Sequence, residues 1–395
     1  MSNTSSNSAG PAPAAPLVTD SLVSGPHISG PFVSDSLVVE TTGQSLSTEN
    51  AAGGLPQTVR FGVVGCGWVA RDYGIPGLIA AGEVVHLCDR DADAVSQTAA
   101  AVGTATTVDV RATTSLQTLL ADESIDAVYV ATPNHTHAAI VRACAAAGKA
   151  ILCEKPLAAS IADAEQMIAD CAAAEVLFAT AYDQRWHPAH RAIGDLVSAG
   201  VLGTITQARI HYACWLPSGW SPTDEPHDNW RVDAARAGGG AGIDLAPHGI
   251  DLLAMLLGRR WDQLHGLTQR AVQKYAVEDR AVDDGAVLMG QLGETLATLH
   301  VGYNCPDRLP RRRLELIGTA GSIIAENTMG QTPGGCVTHI EAATGTSSSV
   351  AFDAAASPFE AQARWFASAV RGESGPRFDK QIDLHHHRLL LAALG

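Results

Sequence analysis

Gly65-Cys66-Gly67-Trp68-Val69-Ala70 stands directly after the apolar run Arg60–Val64 and before a helix-forming stretch, and no other feature restricts the fold as strongly. The pattern G-x-G-x-x-G/A carries weight only between a strand and a helix, and here it has both. Gly65 permits the tight turn, Gly67 lets backbone amides approach a pyrophosphate, and Ala70 is small enough for close helix–strand packing, with Trp68 and Val69 completing the turn. Phosphates would sit at a helix N-terminus, where unpaired N–H groups and the helix dipole favour anions. Asp89 closes the next strand, about 20 residues on, where a carboxylate accepts both ribose hydroxyls of an adenosine. That carboxylate repels a 2′-phosphate while the adjacent Arg90 attracts one, and the expectation is NAD in preference to NADP. A plain glycine turn with a helix-capping Asp is the alternative.

From Val59 onward, short apolar runs alternate with Ala-rich helical stretches, the pattern of βαβ units. Strands are expected at 60–64, 83–88, 127–131, 150–153 and 176–180, with helices at 135–147 and 160–174. The runs at 205–212, 286–292, 295–301, 313–317 and 322–325 then follow one another with turn signals between them. Consecutive strands without crossover helices imply an open antiparallel sheet. The expected class is α/β: a Rossmann, doubly wound parallel sheet (58–181), then an α+β substrate and oligomerisation domain with an open, mainly antiparallel sheet (182–378), and a C-terminal helix (379–395). Further helices are expected at 247–257 and near 358–370.

Residues 1–57 hold Ser, Thr, Gly, Pro and Ala but no Lys or Arg, and read as a disordered or extended tail. The near-repeat Asp20-Ser21-Leu22-Val23 and Asp35-Ser36-Leu37-Val38 suits a docking arm or a solvated tail equally. The tail matches neither a secretory signal nor an Arg-rich transit peptide. A net charge of −15, from 26 basic against 41 acidic residues, argues against a nucleic-acid partner. No run approaches the roughly 18 uninterrupted apolar residues of a membrane span. The eight cysteines lie scattered without a CxxC pair, which implies buried thiols, a reducing cytoplasmic setting and no zinc site. Neither does His385-His386-His387 suggest a metal, since consecutive helical residues point about 100° apart; a mixed surface-and-interface patch is expected there.

Two more segments lead to carboxyl ends of parallel strands, where ligands bind in such sheets. They are Ala131-Thr132-Pro133-Asn134-His135-Thr136-His137 and Gly148-Lys149-Ala150-Ile151-Leu152-Cys153-Glu154-Lys155-Pro156. With them the sequence resembles the glucose-fructose oxidoreductase/inositol dehydrogenase family, Gfo/Idh/MocA, over about residues 58–390. The resemblance implies a nicotinamide-dependent oxidoreductase. It implies cofactor contacts from Thr132, Pro133, Asn134 and His137, and from Glu154-Lys155-Pro156, whose Lys reaches the nicotinamide ribose and the substrate and whose Lys–Pro peptide is commonly cis. Gly238-Gly239-Gly240-Ala241-Gly242-Ile243-Asp244-Leu245-Ala246-Pro247-His248 resembles the second motif, glycines leading to D-x-x-x-H. Positions four apart share a helix face, so Asp244 and His248 point at one substrate, and Pro247 is tolerated only in a first helical turn. Tyr182-Asp183-Gln184-Arg185-Trp186 resembles the family's Tyr-Asn-x-Arg-aromatic linker, with Asp183 where Asn is common. It implies Gln184 at the cofactor and Tyr182 and Arg185 at the substrate. Asn229-Trp230-Arg231 resembles a Trp-Arg pair near the cofactor.

Oxidising an alcohol needs a group to take the hydroxyl proton while hydride leaves carbon. His248 is the expected base, Asp244 orients it or binds substrate, and Lys155 holds the same oxygen against developing charge. Trp215, Trp220 and Trp230 crowd one segment with His211, His227, Asp228 and Asn229 nearby, a surface suited to a sugar ring or to anchoring a loop or interface. The expected reaction is hydride transfer to or from a secondary alcohol of a sugar, cyclitol or glycoside. Transient NAD-dependent oxidation within a lyase or glycosidase reaction, and a regulatory dinucleotide-binding role, stay open. An open sheet face needs cover, and a homodimer or homotetramer follows.

Overall fold

The computed structural model describes residues 57–217, 220, 229–272, 282–373, 375 and 378–395. The tail up to residue 56, with both Asp-Ser-Leu-Val segments, lies outside the described residues, as do His227 and Asp228. Strands β1 (Arg60–Val64), β2 (Glu83–Cys88), β3 (Arg111–Thr113), β4 (Ala127–Val130), β5 (Ala150–Glu154) and β6 (Phe178–Ala181) form one parallel sheet in the order β3-β2-β1-β4-β5-β6. Between them run helices α1 (Ile75–Ala81), α2 (Ala92–Ala105), α3 (Leu116–Leu120), α4 (His137–Ala146) and α5 (Ile161–Ala173). Because helices cover both faces, β4 and β5 read as unbroken apolar runs and are buried almost throughout. Side-chain caps set the helix starts: Asp91 accepts from Asp93 and Ala94 at α2, and Ser160 accepts from Asp163 at α5. The strand order reverses between β1 and β4, which opens a crevice at their carboxyl ends.

After α6 (Pro188–Ser198), β7 (Ile205–Ala213) enters a second sheet; α7 (Ala234–Ala237) and α8 (Ala241–Leu257) follow. The sheet continues through β8 (Gln263–Gln269), β9 (Gly285–Leu292), β10 (Thr295–Gly302), β11 (Arg312–Gly318), β12 (Gly321–Glu326), β13 (Cys336–Glu341) and β14 (Ser347–Ser349). The strands lie in the order β14-β13-β12-β11-β7-β10-β9-β8, antiparallel except where β7 meets β10. α8 is apolar nearly all round and buried against one sheet face. Together with the turn before it, it is long and apolar enough to cross a membrane by composition, and it is 83% buried inside the protein.

α8 begins at Ala241, earlier than the start at 247 that Pro247 suggested. The cap comes from far along the chain: the Asp283 carboxylate accepts from Gly240 N (2.9 Å) and Gly242 N (2.7 Å), which lets the helix start before its proline. Pro247 therefore sits inside the helix. Two more helices close the fold, α9 (Pro358–Val370) and α10 (Lys380–Leu394). α9 returns to the parallel sheet and packs on α1. α10 wedges against α5, α8 and β8, and so His386 and His387 are buried, not part of a surface patch. His386 Nε2 accepts from Trp261 N (3.3 Å), and His385 Nε2 lies 2.7 Å from the Trp261 carbonyl.

Candidate active site

At the crevice Gly65 takes φ +97°, and a Cβ there would lie 2.3 Å from the Ala131 carbonyl oxygen, so only glycine fits between β1 and β4. Gly67 has open space where its Cβ would be, and it faces the cleft. Cys66 N donates to Asp89 Oδ2 (2.7 Å), and Asp91 N donates to Asp89 Oδ1 (3.0 Å), which fixes that carboxylate beside the glycine turn. Trp68 Nε1 is buried and has no hydrogen-bond partner among the described residues. An open cradle and an unsatisfied donor in the cleft wall fit a phosphate-bearing dinucleotide.

The cleft spans about 940 Å³ with the solvent at its mouth included, of which about 150 Å³ is room for water-sized molecules. Its wall contains Gly67, Trp68, Val69, Thr132, Pro133, Asn134, Glu154, Lys155, Trp230, Arg231, Asp244 and His248, contributed by both sheet units. A cis peptide joins Lys155 to Pro156 at the end of β5. Lys155 Nζ donates to Asp244 Oδ1 (2.7 Å) and to the Asp244 carbonyl (3.0 Å). Asp244 Oδ1 also accepts from Arg231 Nη1 (3.1 Å), and Oδ2 accepts from the Tyr303 hydroxyl (2.8 Å). Burial opposes the charge on Asp244, but Lys155 and Arg231 outweigh it and hold the carboxyl far below the usual range. Glu154 is pushed the other way by burial, and the Tyr129 hydroxyl donates to its Oε1 (2.6 Å).

Asp244 does not orient His248, contrary to the expectation from D-x-x-x-H. Its carboxylate meets the two cations and Tyr303, and among the described residues no hydrogen bond or ion pair joins it to His248, although both residues line the same cleft. The neighbour of His248 is Asp183, whose Oδ1 lies 3.1 Å from Nδ1, with both side chains at most 3% exposed. The Nδ1 contact is an ion-pair distance without full hydrogen-bond alignment, and Nε2 has no hydrogen-bond partner among the described residues.

Several expected site residues lie behind the wall. Gln184 is fully buried, with Nε2 donating to the Gly330 carbonyl (2.9 Å) and to Asp183 Oδ2 (2.8 Å); it braces a loop and leaves no donor for a cofactor. Arg185 donates through Nε to Asp251 Oδ2 (2.8 Å) and through Nη2 to Asp383 Oδ1 (3.0 Å), and its guanidinium stacks over Tyr182. The two residues join β6 to α8 and α10 instead of meeting substrate. Trp215 bridges to Asn304 and does not line the cleft. His137 is fully buried, its ring nitrogens 2.9 Å from the Thr132 carbonyl and 3.2 Å from that of Pro156, so it ties two cofactor-side loops together. Burial pushes that ring down to about 4. Asn134 lines the cleft while its Nδ2 donates to the Ala237 carbonyl (2.7 Å).

Sequence reasoning missed Tyr303, Gln331 and Phe359. Tyr303 follows the alternating run of β10 and looks like one more core aromatic. Gln331 lies on a loop after β12, and Phe359 opens α9, so nothing local marks either as a cleft residue.

Two family models match the chain. Residues 59–182 match the oxidoreductase-family NAD-binding Rossmann fold, and residues 190–324 match the GFO/IDH/MocA C-terminal domain. A 1,5-anhydro-D-fructose reductase from Ensifer adhaerens is 32% identical over 282 residues, 71% of this chain and 79% of that protein. D-xylose 1-dehydrogenase (NADP(+)) 2 from Haloferax volcanii is 33% identical over 199 residues, 50% of this chain and 57% of that protein. A solved levoglucosan dehydrogenase, in complex with NADH and levoglucosan, shares the fold: TM-score 0.72 at 20% identity, over 85% of this chain and 96% of that one.

Proposed function

Since this chain belongs to the Gfo/Idh/MocA oxidoreductase family, we propose that it exchanges hydride between a nicotinamide cofactor and a secondary alcohol or ketone of a sugar, cyclitol or related polyol. The observation that carries the reading is the convergence of Lys155, Asp244 and His248, whose Nε2 is unpaired among the described residues, in the cleft that also holds the glycine turn. A bound nicotinamide supplies the hydride acceptor or donor. His248 Nε2 takes the hydroxyl proton in the oxidative direction. Lys155 uses two contacts on Asp244 and keeps a third N–H for the substrate oxygen, where it opposes developing negative charge. Names of relatives support a sugar substrate.

Asp89, held at the glycine turn, supports NAD over NADP, because a 2′-phosphate would meet a fixed carboxylate. The test is a sugar and polyol panel with NAD and NADP in turn, followed by reduced-cofactor absorbance, with the corresponding ketones run in reverse. Turnover of a polyol with a trace of activity left in Lys155→Ala is expected; no turnover in either direction would overturn the reading. Calorimetry that favours NADP tenfold or more, about 1.4 kcal/mol, would overturn the Asp89 argument.

The open face of the second sheet carries Leu267, Val287, Met289 and Leu296, which are 36–75% exposed. Leu267 pairs with Val287 across β8 and β9, so these side chains form a patch. A second copy of the chain covers that patch in our reading. Met289→Lys with Leu296→Lys should then halve the mass seen by light scattering, and a monomeric wild type would refute it. The free thiols support a cytoplasmic setting.

A further inference from the structure

Three carboxyl groups lie near His248, those of Asp244, Glu154 and Asp183, and among the described residues only Asp183 comes within ion-pair distance of its ring. Asp244 is turned to other partners: its Oδ1 is shared by Lys155 and Arg231, and its Oδ2 accepts from Tyr303. Asp183 sits on the short turn after β6, 2% exposed, where Gln184 Nε2 donates to Oδ2 (2.8 Å) and leaves Oδ1 3.1 Å from His248 Nδ1, an ion-pair distance that a small turn of the ring aligns into a hydrogen bond. The turn itself is pinned. Gln184 also grips Gly330 from both sides, donating to its carbonyl and accepting from its N–H (3.3 Å), and His190 holds the Gln184 carbonyl (2.9 Å) and Thr328 (3.1 Å). Gln331, next in the chain, lines the cleft. The remaining groups that face the imidazole are the Tyr212 ring from β7, edge-on at 5.7 Å, and the Glu154 carboxyl from β5.

We infer that Asp183 is the positioning residue for His248: its carboxylate holds the ring proton on Nδ1, aims Nε2 into the cleft and compensates the imidazolium formed when Nε2 accepts a proton. An ionised carboxylate only accepts hydrogen bonds, so it admits one neutral tautomer, Nδ1–H. The amide of an Asn at this site could present either its oxygen or its NH2 and would impose neither tautomer. Burial disfavours charge on Asp183, yet His248, Gln184 and Lys155 together hold the carboxyl below its ordinary range and keep it ionised. The proton balance is simple. The substrate O–H bond breaks, the proton moves to Nε2, the Nδ1 proton stays in place, and the pair passes from one negative charge to none. The same logic operates wherever an Asp fixes the tautomer of a catalytic His.

The direction of proton transfer rests on the proposed function, but the tautomer does not. The test is nitrogen NMR of histidine-labelled protein saturated with NAD at mildly alkaline pH, with His248 assigned by the signals lost in His248→Gln. Wild type should show a ring protonated at Nδ1 and bare at Nε2. Asp183→Asn should show mixed or reversed tautomers, and Asp183→Glu should restore the wild-type pattern. With the polyol turned over best in the panel, Asp183→Asn should lose about 100-fold in kcat with KM within a few-fold, and Asp183→Glu should recover part of it. A wild-type ring protonated at Nε2, or an unchanged tautomer in Asp183→Asn, overturns the inference, and the wild-type spectrum decides even if that variant fails to fold. If no polyol is turned over while the Nδ1–H tautomer stands, the dehydrogenase reading falls and the Asp183–His248 coupling survives.

Discussion

Gly65 and Gly67 sit two residues apart and meet opposite surroundings. A methyl on Gly65 would strike the Ala131 carbonyl at 2.3 Å in a left-handed conformation, and backbone cannot yield as a side chain does. A methyl on Gly67 would meet no atom of the described residues within 4 Å. Gly65→Ala should therefore destabilise the apoprotein by about 1–3 kcal/mol. Gly67→Ala should leave stability within about 0.5 kcal/mol. The second variant instead places its methyl in the phosphate cradle, and NADH affinity should fall about tenfold or more, roughly 1.4 kcal/mol. Urea unfolding and fluorescence titration with NADH check the pair. Wild-type NADH affinity in Gly67→Ala would mean that the turn holds no phosphate.

At the scale of elements, the cofactor side of the cleft is finished by a helix nearly at the end of the chain. Ser357 caps α9 by accepting from Glu360 N, and Phe359, in the first turn that this cap fixes, reaches the cleft wall. Phe359 stacks on Tyr73 (5.3 Å), and Tyr73 meets Trp68 edge-on (5.9 Å). The crossing depends on Gly77 in α1, where a Cβ would lie 2.8 Å from the Phe359 carbonyl oxygen. Gly77→Val should push α9 outward, cost about 1–3 kcal/mol, and weaken NADH binding although no ligand-facing atom changes. Unchanged NADH affinity in a folded Gly77→Val would show that α9 plays no part in the site. The helix at 358–370 is legible from its pattern, but its destination is not, because periodicity names a face and not a partner. The same limit hides the start of α8, whose cap, Asp283, lies 43 residues beyond Gly240. β3 has three residues, none fully buried, and offers no apolar run to read. The site divides in the same way: the glycine turn, Lys155, Asp244 and His248 stand in local patterns, whereas Tyr303 and the Asp183–His248 contact exist only once distant segments meet. Tyr182 and Arg185 invite misreading because a polar motif next to a cleft looks the same whether it meets substrate or braces the elements behind it.

Across the whole molecule, five of the buried histidines make stability depend on pH. Burial depresses His137, His187 and His387 to about 4, and His190 and His386 to about 3, from an ordinary value of 6.5. In the native state these five rings stay neutral at pH values where the unfolded chain already binds protons. Below 6.5 the unfolded state therefore takes up more protons, and stability rises with pH. The contribution is fully present above about 6.5 and is lost as pH falls toward the folded values of 3 to 4. Each ring adds at most about 1.4 kcal/mol per pH unit in that window. Carboxylates act lower: Asp383, whose burial is outweighed by Lys380 and Arg185, is held at about 2, so its stabilisation is lost only below the ordinary carboxylate value. Urea midpoints of the NADH-free protein should thus be nearly flat above neutrality and drop steeply below it, well before carboxylates titrate. His190→Gln, which keeps hydrogen-bonding groups toward Gln184 and Thr328, should reduce the slope in this window by about one proton without altering it above neutrality. A midpoint that stays level from neutral pH down to the carboxylate range would show that these rings are hydrated or protonated in the native state and are not buried as neutral groups.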